Sequence, residues 1–493
     1  MKQITNFSAL VAFFLLSIVG RSVAQQPLQL HPGNPHYFLY EGKPTILITS
    51  AEHYGAVLNA DFDYKKYLQT LHDEGMNYTR IFVGSYVEIA TSFNIEKNTL
   101  APEVGRFLAP WKRVESTGLF EGEKKFDLKT WNEEYFERLV GFVRLAQELD
   151  IIVEVTLFCS TYRDESWQRH PFNPGNNING LPEDLNRKKS NTLDNGKLLE
   201  FQKAMVAKIV TELNVFDNVF YEIQNEPWAD DPVKVMRTLK TLNPNPGKGN
   251  WYKWAERASD ASLEWQKAMA ATIVEAEEQL PKKHLIAQNY TNFKHSIRKV
   301  DPNISIVNFH YAWPEAVWMN YGWNRPVGFD ESGFAGSSDT TFLRQAWQFM
   351  LAGGAIFNNL DYSFFVGKED GTGINDAPGG GSANLRKQLA YLHAFIKSFD
   401  FVKMQPDHEV VYHAPGLDWQ ALSEPDEQYA IVFTGIPAGW VKLTLPAGTF
   451  HYQFVSPFTG RSLGEGVLMN QARRTVQLAL PTFEYMVALK LKR

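Results

Sequence analysis

From residue 45 onward, short runs rich in β-branched and aromatic residues alternate with stretches whose apolar positions recur every three to four residues. That alternation predicts parallel strands joined by crossover helices. Eight strand-like runs occur, over residues 45–50, 78–83, 151–158, 219–225, 284–288, 304–310, 327–331 and 355–360. Helical periodicity is clearest over 64–74, 131–149, 198–213, 255–279, 341–351 and 385–399, and is weaker after the fifth and sixth strands. Eight repeats predict an α/β fold, a (β/α)8 TIM barrel over residues 25–400, because an open doubly wound sheet would show fewer strands and often a glycine-rich phosphate turn near its start. Gly379-Gly380-Gly381 follows the eighth strand and lacks the Lys-Ser/Thr of a phosphate loop, so it reads as a flexible loop. Past the barrel, over 401–493, the pattern becomes alternating strands split by Pro/Gly turns, as at 429–435, 440–445 and 475–480. This predicts a small all-β C-terminal domain, sandwich-like and packed on the barrel as a cap; Trp419 and Trp440 alone do not make it a sugar-binding module.

The first residues carry a different signal. Lys2 precedes an apolar run over 9–20, and Ser22-Val23-Ala24 forms a small-x-small cleavage pattern before Gln25. This is the pattern of a signal peptide over 1–24, and it predicts export, to the periplasm or the medium. The run is shorter than the ~20 residues of a spanning helix, and no cysteine follows it to carry a lipid, so no membrane association is expected after leader removal.

Composition changes the picture in few places. Hydrophobic residues make up 44% of the 493 and charged residues 21%, as in ordinary globular proteins, whereas aromatics reach 14%. Aromatic planes fill cores but also stack on the C–H faces of sugar rings. The net charge of −6, with signs mixed along the chain, lacks the basic stripe that a phosphate backbone requires, so nucleic acid is not an expected partner. The single cysteine, Cys159, cannot pair internally, and no Cys/His cluster has metal-site spacing; neither metal nor cofactor is expected. The pattern leaves the oligomeric state open.

The strongest local signal is the fourth strand-like run, which ends in Tyr221-Glu222-Ile223-Gln224-Asn225-Glu226-Pro227-Trp228. In a (β/α)8 barrel the C-terminal ends of strands carry the reacting groups. A second carboxyl pair, Asp330-Glu331, closes the seventh run, 105 residues later, a separation that fits three intervening strand–helix units. Side-chain alternation predicts that only one of Asp330 and Glu331 points inward.

These residues resemble the clan A glycoside hydrolases, the cellulase-like retaining (β/α)8 enzymes. The resemblance covers the barrel only. It implies cleavage of O-glycosidic bonds, mostly β, in a glycan or oligosaccharide by double displacement, with Glu226 as general acid/base and Glu331 as nucleophile. The two carboxyl groups need different pKa values, and a nearby positive charge is the simplest device to separate them. Arg80, on the second strand, matches the position where the clan places an Arg beside the nucleophile; an internal ion pair with Glu222 or Glu154 is the other reading. Asn225 is implied to hydrogen-bond a sugar 2-hydroxyl, and His310 to bind substrate. Clan members often have His-x-Tyr on the sixth strand, but here Ala312 stands where that Tyr would be and Tyr311 comes one residue earlier. The eighth strand, Phe357-Asn358-Asn359-Leu360-Asp361-Tyr362, lacks the usual sugar-platform Trp, for which Trp313, Trp323 or Trp228 are candidate replacements. Glu52 and His53, past the first strand, are further candidates to meet substrate hydroxyls, whereas Glu154 and Glu222 lie mid-strand and are read as holding the interior together.

Two other classes fit less well. A metal hydrolase using His53, His310 and Asp361 would need two ligands within one strand at ligand spacing, and none are. A catalytically silent sugar-binding barrel would have lost Glu226 or Glu331. A transglycosylase differs only in its acceptor. The long segments 84–130 and 159–196 fall on the catalytic face and predict a walled pocket acting on chain ends or short oligosaccharides.

Overall fold

The computed structural model describes residues 26–238, 253–437 and 439–493. The expected leader over 1–24 lies outside the described residues. Eight parallel strands form the barrel: β1 (Leu47–Ala51), β2 (Tyr78–Phe82), β3 (Ile152–Cys159), β4 (Val219–Asn225), β5 (Ile286–Asn292), β6 (Ile306–His310), β7 (Val327–Glu331) and β8 (Ile356–Leu360). They are hydrogen-bonded in the order β1-β8-β7-β6-β5-β4-β3-β2. Every residue in them is buried, as expected of strands covered on one face by helices and on the other by the opposite wall of the barrel.

The ring closes between β1 and β2 through a side chain. Asn77, just before β2, accepts a hydrogen bond from the Ile48 N–H (3.0 Å) and donates one to the Ile46 carbonyl (2.8 Å). Its amide thus supplies the donor and acceptor that a neighbouring strand's backbone would present.

Helices α1 (Tyr64–Asp73), α2 (Glu133–Glu148), α3 (Leu198–Leu213), α4 (Asp260–Glu277), α5 (Pro314–Asn320), α6 (Asp339–Leu351) and α7 (Ala383–Lys397) surround the barrel. One expectation needs correction. The periodic stretch 255–279 is not helical at its start: Trp254–Arg257 pairs antiparallel with Val233–Arg237, and Arg257 adds to β5 opposite Thr291. The helix begins only after Ser259, whose side chain accepts from the Ser262 N–H and caps α4. Between β5 and β6 the described chain forms no helix, and the connection after β6 holds the two-turn α5 followed by a 3-10 turn, Tyr321–Trp323.

The C-terminal region is all antiparallel. β9 (Gln405–Pro406), β11 (Leu417–Glu424), β12 (Gln428–Gly435), β17 (Met486–Lys492), β14 (Gly448–Val455) and β15 (Ser462–Asn470) lie side by side in that order. They face a three-stranded sheet of β10 (Val411–His413), β13 (Trp440–Leu445) and β16 (Arg474–Ala479). Alternation along the long strands sends Ile431, Phe433, Leu489 and Leu491 into the space between the sheets. Their neighbours Ala430, Val432 and Ala488 join the barrel's own apolar core. A strand with both faces buried thus serves two cores.

Candidate active site

At the ends of β4, β6 and β7 the two-residue alternation breaks down. Glu226 follows β4 in a left-handed conformation (φ 46°, ψ 53°), directly before the 3-10 turn Pro227–Ala229. Tyr311 follows β6 with φ 51°. Between β6 and β7 the register slips: Phe309 pairs with Phe329, but His310 pairs with Glu331, which leaves Asp330 as the extra residue of a bulge. The expectation that only one of Asp330 and Glu331 would face inward is therefore overturned. Asp330 contacts the barrel interior and Glu331 lines the cavity above it. Left-handed non-glycine residues cost about 1–3 kcal/mol each and need outside support. For Glu226 that support comes from the Asn289 side chain, which accepts its N–H (3.2 Å), and from Ser160 Oγ, which donates to its carbonyl (2.7 Å).

Beneath the cavity lies a buried polar net centred on Arg80. Its guanidinium donates to Glu222 and to Thr156 Oγ1 (3.1 Å), to Asn225 Oδ1 (2.9 Å) and to Glu331 Oε2 (3.3 Å). Both readings of Arg80 thus meet in one side chain, since it forms the internal ion pair and also touches Glu331. Asn308 Nδ2 donates to Glu154 (2.8 Å) and Asp330 (3.0 Å), and Tyr78 donates to Glu154. A Cβ at residue 328 would collide with the Asn308 side-chain oxygen, so Gly328 leaves the space in which that amide sits. Burial and the adjoining carboxylates hold Glu154 well above the usual range, and burial raises Glu222 to about 8. Several acids below one guanidinium can share that interior only if some keep their protons.

Above the net, Glu226, His310 and Glu331 each offer an oxygen or nitrogen, and these atoms all lie within 4.8 Å of one another. His310 Nδ1 is 3.1 Å from Glu226 Oε1 and 3.4 Å from Glu331 Oε1. Tyr162 donates to Glu226 Oε2 (2.8 Å), Tyr311 donates to Glu331 Oε1 (3.0 Å), and Asn225 donates to the Tyr162 hydroxyl (2.9 Å). Burial opposes charge on His310, yet the charges of Glu331 and Asp330 and a hydrogen bond to Glu226 lift its pKa well above the ordinary value. Burial pushes Glu226 up, but the hydrogen bond and charge of His310, with Tyr162, outweigh it and hold Glu226 below its ordinary value. Both shifts have the direction expected of a carboxyl and an imidazole that share a hydrogen bond. The same three donors also have the spacing of a possible metal cradle.

The cavity is walled by loops. Glu226, Asn225, Glu331 and Tyr311 line it together with His53, Tyr86, Glu88, Phe93, Tyr162 and Phe334. Phe93, from the loop after β2, packs edge-on against Tyr162 from the loop after β3 (5.0 Å) and approaches Phe334 from the loop after β7 (6.1 Å). The β2 and β8 loops are joined by the Glu96 N–H to the Asp376 carbonyl and by the Asn375 side chain to the Lys97 backbone, each 2.9 Å.

The sequence-level candidates divide accordingly. Glu226, Glu331, Asn225, Tyr311 and His53 line the cavity, and Arg80 and His310 bond to its carboxylates from below and beside. Trp313 does not line it: its ring packs on Phe293 (6.0 Å) under the Lys294 ammonium (4.5 Å), because it caps α5 on the flank of the β6 loop. Trp323 donates its ring N–H to the Ile297 carbonyl, and Trp228 stands edge-on to His310 (5.5 Å). Glu52 turns away to accept from the Ala56 N–H (2.9 Å) and Thr99 Oγ1 (2.8 Å), tying two loops together. Tyr86, Glu88, Phe93, Tyr162 and Phe334 went unnoticed in the sequence. They sit in aperiodic loops, where only the length of the segments after β2 and β3 hinted at walls.

No family model matches the chain, and no curated protein matches it in sequence. Solved structures do match in fold. A candidate glycoside hydrolase from Bacteroides vulgatus aligns over 95% of this chain and 82% of its own, with a TM-score of 0.63 at 14% identity. A glycoside hydrolase of family 5 from the same species aligns over 94% and 93% (TM-score 0.59, 11% identity). A third structure, described as a glycoside hydrolase, aligns over 95% and 97% (TM-score 0.56, 12% identity). The chain therefore has the fold of these hydrolases, a (β/α)8 barrel carrying an all-β C-terminal region, at identities that speak to the fold alone.

Proposed function

We propose that this chain is a retaining glycoside hydrolase that removes sugars from the ends of β-linked glycans or oligosaccharides, and that it works outside the cytoplasm. The reading is carried by one observation: Glu226 and Glu331, from the ends of β4 and β7, converge in a walled cavity with carboxylate oxygens no more than 4.8 Å apart. Retaining enzymes hold their two carboxyl groups roughly 5–5.5 Å apart, whereas inverting enzymes leave ~6.5–9.5 Å for a water.

In the first step Glu331, oriented by Arg80 and Tyr311, attacks the anomeric carbon as the bond to the leaving oxygen breaks. Glu226 protonates that oxygen. His310 Nδ1, 3.1 Å from Glu226 Oε1, is placed to supply that proton to Glu226 in the first step and to take it back after the second. In the second step Glu226 takes a proton from water, the water oxygen attacks the anomeric carbon, and Glu331 leaves as a carboxylate. The joined β2 and β8 loops and the Phe93–Tyr162–Phe334 contacts wall the cavity, which supports exo action over cleavage within a chain.

Proton NMR during hydrolysis of an aryl glycoside tests the mechanism. The first sugar released should keep the anomeric configuration of the substrate, and an inverted first product would overturn the proposal. Digestion of a polymer should release small sugars with little early fall in viscosity; a rapid fall would contradict the exo reading.

A further inference from the structure

Glu88 is a buried carboxyl that the chemistry above does not use. It lies in the loop after β2, is 1% exposed, and lines the same cavity as Glu226 and Glu331. Tyr86 donates to its Oε1 (2.9 Å) and Asn98 to its Oε2 (2.6 Å). Among the described residues no Lys, Arg or His nitrogen lies within ion-pair distance of it, whereas Glu123, Glu222, Glu277 and Asp361 each have such a partner. Glu52 and Asp230 are also buried without a cation, but neither lines the cavity. A carboxyl kept out of water with no counter-ion is costly, and such groups cluster where a ligand supplies what the protein withholds. Burial raises Glu88 to about 7, partly offset by the Asn98 and Tyr86 hydrogen bonds, with the charge of Glu331 adding to the rise and that of Arg163 opposing it.

Two neighbouring groups are unmet in the same region. Both ring nitrogens of His53, which lines the cavity, are buried without a hydrogen-bond partner, and so is the hydroxyl of Tyr362. The Tyr362 hydroxyl feels the charges of Glu331, Glu88 and Glu226, and its ring lies 5.3 Å from that of His53. Burial lowers His53 to about 4, so its imidazole is neutral and offers one donor and one acceptor.

We infer that Glu88 is the specificity-determining residue of this cavity, and that with His53 and Tyr362 it binds the hydroxyls of one neutral terminal sugar and rejects a uronic acid. Each carboxylate oxygen of Glu88 has one protein donor and keeps a lone pair, so the pair can accept from two adjacent hydroxyls. His53 and Tyr362 complete the set with donors and an acceptor. Above pH 7, where Glu88 is ionised, a sugar carboxylate brought to this wall would meet the charges of Glu88 and Glu331 together, and like charges at short range in a dry site repel strongly. The inference rests on the glycosidase reading for the identity of the ligand, but it is tested separately by binding.

The test compares the wild type with Glu88→Gln and Glu88→Asp. Binding of glucose, mannose, galactose, xylose and glucuronic acid is followed by calorimetry and by tryptophan emission. Turnover is measured on the matching nitrophenyl glycosides and glucuronide. At least one neutral sugar should bind the wild type, with glucuronic acid bound at least ten times more weakly. Glu88→Gln should weaken the neutral sugar about tenfold or more, raise KM with kcat changed less than threefold, and narrow the gap to glucuronic acid; Glu88→Asp should lie between. The thermal midpoint of Glu88→Gln, measured above pH 7, should stay level or rise, because a buried carboxylate without a counter-ion is removed. Unchanged binding and KM with a lower midpoint would make Glu88 a structural staple and overturn the inference, as would a wild type that binds no neutral sugar or prefers glucuronic acid. Wild-type binding without turnover, with the Glu88 effect on binding intact, would instead sink the glycosidase reading and leave this inference standing.

Discussion

Glu226 and Glu331 both carry carboxyl groups, but their surroundings differ, and so should the consequences of losing them. Glu331→Ala removes the attacking oxygen and should abolish turnover of every substrate, with azide restoring a slow reaction that inverts the anomeric centre. Glu226→Ala should lower kcat by about 10²–10⁴-fold on poor leaving groups and spare the first step on activated phenols, which need no protonation. Azide should then speed release with configuration retained. Peptide mapping after a fluorosugar label should place the sugar on Glu331; a label on Asp330 or Glu226 would refute these roles. His310 gives a separate prediction. Because its hydrogen bond and charge lower the pKa of Glu226, His310→Gln should leave Glu226 to titrate without that partner, and without a proton supplier whose own pKa is raised. The alkaline limb of kcat should move to lower pH for substrates with poor leaving groups, and dinitrophenyl glycosides should show no such shift.

At the scale of elements, the barrel's weak point is the seam where β1 meets β2 through the Asn77 amide. Asn77→Ala removes a donor and an acceptor and leaves two strand backbone groups unmet, so it should cost about 1–3 kcal/mol in urea unfolding. Asn77→Asp keeps the acceptor for Ile48 and should cost less near neutrality. The strands themselves were legible because eight runs of buried residues are hard to hide. What could not be read was where their alternation fails. The bulge at Asp330 and the left-handed turns at Glu226 and Tyr311 depend on neighbouring strands, through Asn289, Ser160 and the β6–β7 register, and no pattern within one strand records them. The start of α4 was misread for a related reason: residues 254–257 have apolar spacing suited to a helix, but they meet an antiparallel partner at Val233–Arg237.

Across the whole molecule, the C-terminal sheets share the barrel's core. Gln348 of α6 donates to Thr434 (2.9 Å), Arg344 to Tyr485 (2.8 Å), and Leu422, Val432 and Met486 pack among barrel residues. Truncation near Phe401 should therefore expose an apolar helix face and yield an insoluble or strongly destabilised barrel. A soluble truncated barrel, active on small substrates but no longer adhering to polymer, would make the region a binding module instead. Stability should also depend on pH from both sides. Glu52, raised from 4.5 to about 7 by burial, favours folding fully below 4.5 and loses that contribution as pH climbs through 7, on the order of 3 kcal/mol. His310, raised above 6.5, acts in the same direction at higher pH. Glu226 and Asp330, held below 4.5 and 3.8, stabilise above those values and lose their contribution on acidification. Chemical unfolding across pH should thus peak on the acid side of neutrality, and Glu52→Gln should flatten the alkaline fall.

The sequence by itself determined the number of barrel strands, the change of pattern near residue 402, and the two carboxyl-bearing strand ends, because each of these is written in local periodicity or in a short motif next to it. It also carried Arg80, Asn225 and His310, whose positions on strands fix the end of the barrel they face. The tertiary structure decided which neighbours meet. It turned adjacent residues such as Asp330 and Glu331 both inward, sent Glu52 and Trp313 away from the cavity, and brought Tyr162, Glu88, Phe93 and Phe334 from three different loops to its wall. Contacts between loops depend on how far strands twist and where their register slips, and these are properties of the closed barrel that no segment of the chain holds alone.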